Sequence, residues 1–470
     1  MQISATSPKL VVTSANTFWK SSEAVESGAA LDEFGQLKAE FGDKIEVGAT
    51  TFSETTGQKI RRTTSGWVKK LPYILLGAGA LGVSVASAGL LAPLAAAGVA
   101  GAAAGGLSVA WLGGGLSDAV KSTKNAQGLA AHHTGFETLN FENLPQESGP
   151  EAGLREMTIK NMELYPQARH VVHLNGHGHG AKSFAGLPAR EAHQSMVEAV
   201  QKTGRKYDVV FYETCYGSNF EFLYGQAGAA DFAVAFEDQA PKSNSYTKRV
   251  PVDEILAVPL ELMSPREAAQ GMAARAGEHF EREEPPAISK VPLADRLMPE
   301  HRDKFFLNTD STVVAVDLQE LQADLAPQLD KVGRLLVSAY RESPEVKNLV
   351  HQARRKNKVD EVGDLVDMGG FLTDIRKGLG EREPELAAAI GSAERELGET
   401  IIGKRTGKDF PLSGLTFHTR PNAITFRRPA SSAYENEGLP KNWVGFVEEA
   451  FLGLPVALSD AMTNLRSRSI

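Results

Sequence analysis

Three short apolar runs, "ARHVVHL" at 168–174, "YDVVFYE" at 207–213 and "FAVAFED" at 232–238, alternate with segments of helical spacing, and this alternation most tightly limits how the chain can fold. Each run is rich in β-branched and aromatic residues, the composition of a strand buried on both faces. Ahead of the first, "GLREMTIKNMELYP" carries apolar residues at helical spacing and stops at Pro166. Between the first and second, "AREAHQSMVEAVQKTG" has the same character and ends on Gly204, a helix stop. After the second, "FEFLYGQAGAADF" reads as a helix that runs into the third strand. Strand, helix, strand, helix, strand implies a parallel sheet with right-handed crossovers. Ligands of such sheets bind beyond the carboxyl ends of the strands, which directs attention to the turns that follow 174 and 213.

Those turns carry the reactive residues. The first is "HLNGHGHG" at 173–180 and the second is "TCYGSN" at 214–219, which holds the one cysteine of the 470-residue chain, Cys215. A cysteine acts as a nucleophile through its thiolate and needs a base or a positive field beside it near neutral pH. One βα unit separates the two turns, so the strand ends can lie side by side and a histidine can face the thiol. Glycine next to that histidine leaves room for a peptide substrate and frees a backbone N–H for a developing oxyanion. Two other readings of the histidines compete. His173, His177 and His179 supply three imidazoles, as in a metal-dependent hydrolase, but their spacing matches neither a helix-borne zinc pattern nor another zinc motif. A phosphate-gripping turn would need the Lys-Ser/Thr ending of a P-loop, which is missing.

Composition excludes several classes. With 50 Lys and Arg against 58 Asp and Glu the net charge is −8, and no basic stretch is interleaved with aromatics, so nucleic acid is not an expected partner. A single cysteine builds no intrachain disulfide, zinc ribbon or iron–sulfur site. The start, "MQISATSPKLVV", has none of the basic and apolar pattern of a classical signal peptide, which points to a cytoplasmic or membrane-associated protein. The membrane enters because no charged residue occurs between Lys70 and Asp118. Residues 71–117 are long enough for two passes of about 20 residues, with Pro93 near the middle and basic residues on both flanks. A Gly/Ala-rich hairpin buried within protein is the competing reading. The expected organisation is an N-terminal region, 1–125, that carries this apolar helical hairpin as a membrane-inserting segment or pro-region, followed by a catalytic domain, 126–470.

The pairing of a strand ending in His-Gly with a later strand ending in acid-any-Cys resembles the caspase-like clan of cysteine peptidases, and within it the clostripain family. The likeness extends in order over about 130–455: "MELYPQARHVVHLNGHGHG", "YDVVFYETCYGSNFEFLY", "STVVAVDLQELQADLAPQLDKVGRLL", "VGDLVDMGGFLTDI", "LSGLTFHTRP", then Tyr434 and "NWVGFVEEAF". The resemblance implies a caspase-like three-layer α/β/α sandwich with a mostly parallel sheet. It implies a cysteine endopeptidase acting on protein or peptide substrates, with His177 as the catalytic histidine because it directly precedes Gly178 in His-Gly-any-Gly. Cys215 is then the nucleophile, and the N–H groups of Gly178 and Cys215 form the oxyanion hole. The family's acid two residues before the cysteine accepts a basic side chain. Here it is Glu213, one methylene longer than the usual aspartate, which implies cleavage after Arg or Lys. Glu237 and Asp238 stand near a second acidic position of that pocket. Tyr216 and Gly217 replace the family's Leu-Met after the cysteine. No organic cofactor and no bound metal are implied for catalysis. Some relatives use calcium, but no EF-hand-like loop locates a calcium site here. An alternative from another class is a pore-forming or toxin-like effector in which 71–117 carries the main function and the peptidase domain performs self-processing. Peptidases of this clan often cut themselves, which implies self-cleavage at the basic pairs Arg61-Arg62 and Lys69-Lys70 or near Lys121 and Lys124.

Overall fold

The computed structural model describes residues 9–18, 37, 40–41, 44–53, 137–138, 150–176, 178, 180, 183–184, 187–238, 240, 252–261, 264–282, 311–359, 365–406, 412–419 and 439–452. Apart from residues 17–18 and 51–53, the elements below belong to one unit built from 1–16, 32–50 and 136–470, while a second unit, 17–31 and 51–135, lies almost wholly outside the described residues. The apolar stretch 71–117 is outside them too. Among the described residues, no helix is long and apolar enough to cross a membrane.

A mostly parallel sheet forms the centre. Its strands are β1 (Leu10–Phe18), β2 (Ile45–Ser53), β3 (Glu137–Thr138), β4 (Arg169–Asn175), β7 (Tyr207–Glu213), β8 (Ala230–Phe236), β9 (Thr312–Asp317) and β11 (Ile401–Thr406). Among the described residues it has eight strands in the order β11-β9-β8-β7-β4-β1-β2-β3. The inner block β1, β4, β7 and β8 is parallel throughout. The three strands expected from the apolar runs are therefore neighbours in the expected sense. On one side of them, β9 pairs antiparallel with β8 and β11 pairs antiparallel with β9. Two strands from the 1–125 stretch, β1 and β2, share this sheet with the strands that follow residue 126.

Alternation along each strand sorts side chains to two covered faces. Val172, Leu174, Val210, Tyr212, Ala233, Ala235, Val314 and Val316 point to one core, shared with α1 (Pro150–Leu164) and α2 (Ala189–Thr203). Val171, Val209, Phe211, Val234 and Phe236 point to the other and are equally buried. There α4 (Val252–Glu261) and α5 (Pro265–Arg282) supply Ile255, Leu256, Ala268, Met272 and Ala276. Helices thus cover both faces, the layered arrangement a two-faced apolar sheet demands.

The first core continues beyond the sheet. Here α6 (Ala326–Glu342), α7 (Pro344–Lys356), α8 (Met368–Leu379), α9 (Pro384–Thr400) and α10 (Lys441–Leu452) bury Leu329, Leu336, Val350, Phe371, Ile390, Trp443 and Phe446. A small antiparallel ribbon, β10 (Leu365–Asp367) with β12 (Thr416–His418), is attached through Phe417, which meets Phe371 edge-on at a centroid distance of 5.1 Å. A second ribbon joins β5 (Ser183–Phe184) to β6 (Leu187–Pro188) just before α2. The helix after β7, α3 (Phe220–Gln226), is shorter than its apolar pattern suggested. It stops at Gln226 because Ala229 and Tyr207 already exchange a backbone hydrogen bond that starts the β7–β8 ladder.

Candidate active site

The site grows from the register of two strands. β4 and β7 pair in parallel with Asn175 opposite Glu213, so both chains leave the sheet at the same edge and the same level. The Gly176 N–H faces the Glu213 carbonyl at 3.5 Å, which keeps the two exits together for one more residue. His177 and His179 lie outside the described residues, but the two glycines beside them are placed. At Gly178 the approach is so close that a Cβ would stand 2.6 Å from the Cys215 carbonyl oxygen and 2.8 Å from Thr214 Cβ. Only a residue without a Cβ allows the histidine turn to lie against the cysteine turn in this way.

The cysteine turn is held from below. Tyr216 has φ of 56°, a left-handed conformation uncommon outside glycine, and its N–H donates to the Asp238 carbonyl at 2.6 Å. The Ser218 N–H donates to the Phe236 carbonyl at 2.8 Å, so the turn is pinned to the end of β8. Asn219 then caps α3 by accepting from the Phe222 N–H at 3.2 Å. Thr214 and 216–220 are buried, whereas Cys215 is partly exposed. Cys215 is thus the one residue between 214 and 220 that is not buried.

The three acids expected to line a basic-residue pocket go to three different places. Glu213 is buried, and its carboxylate is hydrogen-bonded to His173 Nε2 at 2.8 Å. His173 Nδ1 in turn meets Ser14 Oγ at 3.0 Å, and the ring stacks on Phe211 at 5.3 Å. A buried polar line therefore crosses β1, β4 and β7 directly beneath the two turns. His173 is the sheet-face residue its position in the strand predicted. Glu237 is fully buried and accepts from the Gly414 N–H at 2.6 Å. Burial, with the Asp367 carboxylate beside it as the next cause, pushes its carboxyl well above the usual range. Asp238 alone of the three predicted acids is partly exposed. One of its oxygens accepts from the Thr312 N–H at 3.0 Å, and its carbonyl is the Tyr216 partner described above. It is the acid placed next to the cysteine turn.

Other residues here were not visible as site residues in the sequence. Asp367 accepts from Gly370 and Ser413 and so ties β10 to the strand-entry turn at 413–414. Glu221 accepts from the His418 N–H at 3.1 Å. His418 is buried, with its ring against Gly180. The signal for these is an apolar run ending in His418, "LSGLTFHTRP", which reads only as a strand until its neighbours are known. Among the described residues no group of three or more His, Cys, Asp and Glu side chains is arranged to hold a metal ion.

Fold and site together define a mostly parallel α/β protein with a glycine-lined histidine turn seated on a cysteine turn at adjacent strand ends. No family model matches the sequence, and no curated protein matches it. Among solved structures the chain is similar to a secreted C11 cysteine protease from Bacteroides thetaiotaomicron, iotapain, at 12% identity over 61% of this chain and 76% of that one, with a TM-score of 0.41. It is also similar to an inactive zymogen C11 protease from Parabacteroides distasonis, at 12% identity over 62% and 77% of the two chains and a TM-score of 0.41. A clostripain from Bacteroides thetaiotaomicron in complex with a peptide inhibitor matches at 13% identity over 52% and 93%, with a TM-score of 0.34.

Proposed function

We propose that the chain is a cysteine endopeptidase that hydrolyses peptide bonds through His177 and Cys215. The observation that carries this reading is the contact of Gly178 with the Thr214–Cys215 backbone at the ends of two adjacent parallel strands. It sets the one residue bonded to His177 on its C-terminal side against the turn of the nucleophile. In the mechanism, His177 takes the thiol proton, and the thiolate attacks the scissile carbonyl carbon. The N–H groups of Gly178 and Cys215 hold the tetrahedral oxyanion. Collapse expels the amine, which takes a proton from His177, and water hydrolyses the thioester to return the free thiol. No organic cofactor takes part in this sequence.

Preference for Arg or Lys before the cleaved bond rests on Asp238, the acid that is both partly exposed and bonded to the cysteine turn. Glu213, buried and hydrogen-bonded to His173, lies behind that acid.

Fluorogenic peptides with Arg, Lys or a neutral residue at the cleaved position, tried on wild type and Cys215→Ala with and without calcium, test the reading. Cleavage of the basic peptides is expected to fall at least about 10³-fold in Cys215→Ala while the far-ultraviolet dichroism stays unchanged. Wild-type rates retained in that variant would remove the proposal. Silencing by a chelator but not by iodoacetamide would favour a metal hydrolase instead.

A further inference from the structure

The geometry points to His418 as a positioning residue that seats the turn carrying His177 against the turn carrying Cys215. This rests on the cysteine-peptidase reading for its catalytic meaning. Nothing in the apolar pattern around His418 gives it a role in the site, and it is not one of the dyad residues.

The second glycine of the histidine turn is what brings His418 in. Gly180 has φ of +56°, and a Cβ placed on it would stand 2.8 Å from His418 Nε2 and 3.2 Å from Leu365 Cδ2. Leu365 and His418 are direct cross-strand partners in the β10–β12 ribbon. The ribbon therefore presents one registered pair of side chains to the backbone of the histidine turn. His418 is fully buried, so this contact is made in a packed interior where a missing ring leaves a void.

The same ribbon is bonded to the other half of the site. The Thr416 N–H donates to the Ser218 carbonyl at 2.9 Å, and the His418 N–H donates to Glu221 Oε1 at 3.1 Å. Asn219, the cap of α3, lies in a β-bridge with Thr416. β12 is thus fastened along 218–221, just after Cys215, while its last side chain presses on Gly180, three residues after His177. One short strand fixes both turns. Since a displacement of about 1 Å between reacting groups can cost on the order of 10²-fold in rate, such a link controls the chemical step more than substrate binding.

The test compares Gly180→Ala, His418→Ala and the double variant, with His418→Gln as a milder change should His418→Ala unfold. Each single substitution is expected to lower kcat at least about tenfold with KM within about twofold, because the turn moves while the substrate-binding surface stays. The double variant is expected to be no worse than Gly180→Ala, since removing the ring removes the clash. Independently of activity, hydrogen exchange in peptides spanning 174–182 is expected to quicken at least about tenfold in His418→Ala, or in His418→Gln, with β7 unchanged. Unchanged exchange in both substitutions, or a double-variant loss equal to the product of the single losses, would overturn the inference. Full activity of Cys215→Ala would instead remove the proposed function, leaving the exchange result to decide whether His418 seats the turn.

Discussion

Burial works on ionisable groups in opposite senses at two residues of this protein, and their sum shapes its stability against pH. His170, whose ring is hydrogen-bonded to the Tyr165 carbonyl at 3.0 Å, is held down to about 4 by desolvation. As pH falls below the free imidazole value of 6.5, the unfolded chain binds a proton that the folded chain refuses, so stability is lost between 6.5 and about 4. The loss is about 3 kcal/mol at most. Glu237 has the reverse sign: its raised carboxyl keeps its proton in the fold while the unfolded chain releases one above 4.5, so stability is lost as pH rises past that value. The two effects predict a maximum in melting temperature between 4.5 and 6.5. Glu237→Gln copies the protonated acid, with an oxygen for Gly414 and a donor for Asp367. It is expected to flatten the alkaline limb and to raise stability at pH 8, as read by calorimetry across the pH range. An unchanged alkaline slope would mean that another group sets it.

Between elements, the decisive contact is the one at Gly178. Its neighbour is backbone, the Cys215 carbonyl oxygen, which cannot swing aside as the end of a long side chain can. Gly178→Ala is therefore expected to push the two turns apart and to lower kcat by about 10²-fold or more, with a smaller change in KM, in steady-state assays. How far this site could be read from the sequence follows from how local each signal is. β4, β7 and β8 were legible because each is a compact apolar run, and the ends of parallel neighbours share an edge by topology. β1 was not, because "LVVTSANTF" is half polar and its partner lies 159 residues away in the sequence at the Ser14–His173 contact. The two glycines were legible as room for close approach, but what approaches them was not. Glu213 shows the same limit: its distance from Cys215 along the chain is fixed, yet only the β4–β7 register reveals that its carboxylate faces His173. The overrun of α3 arose because Ala227, Ala229 and Ala230 after Gln226 favour a helix by composition, and the sheet claimed Ala230 and the residues after it by pairing.

At the scale of the molecule, the sheet is assembled from two stretches of sequence that flank residues 54–136. β1 is joined to β4 through the registered pairs Leu10–Arg169 to Asn16–Asn175, and it is buried along its first residues. The Asn161 side chain adds a hydrogen bond to Thr13 Oγ1 at 3.0 Å, and Ser14 completes the polar line to Glu213. A single cut at Arg61-Arg62 or Lys69-Lys70, by the chain itself or by added trypsin, is thus expected to give two bands on a denaturing gel and one species in gel filtration. Release of the shorter fragment under native conditions would contradict that. The nicked protein would then be a heterodimer of its own pieces, with an unfolding midpoint that rises with protein concentration, a dependence the uncut chain does not have.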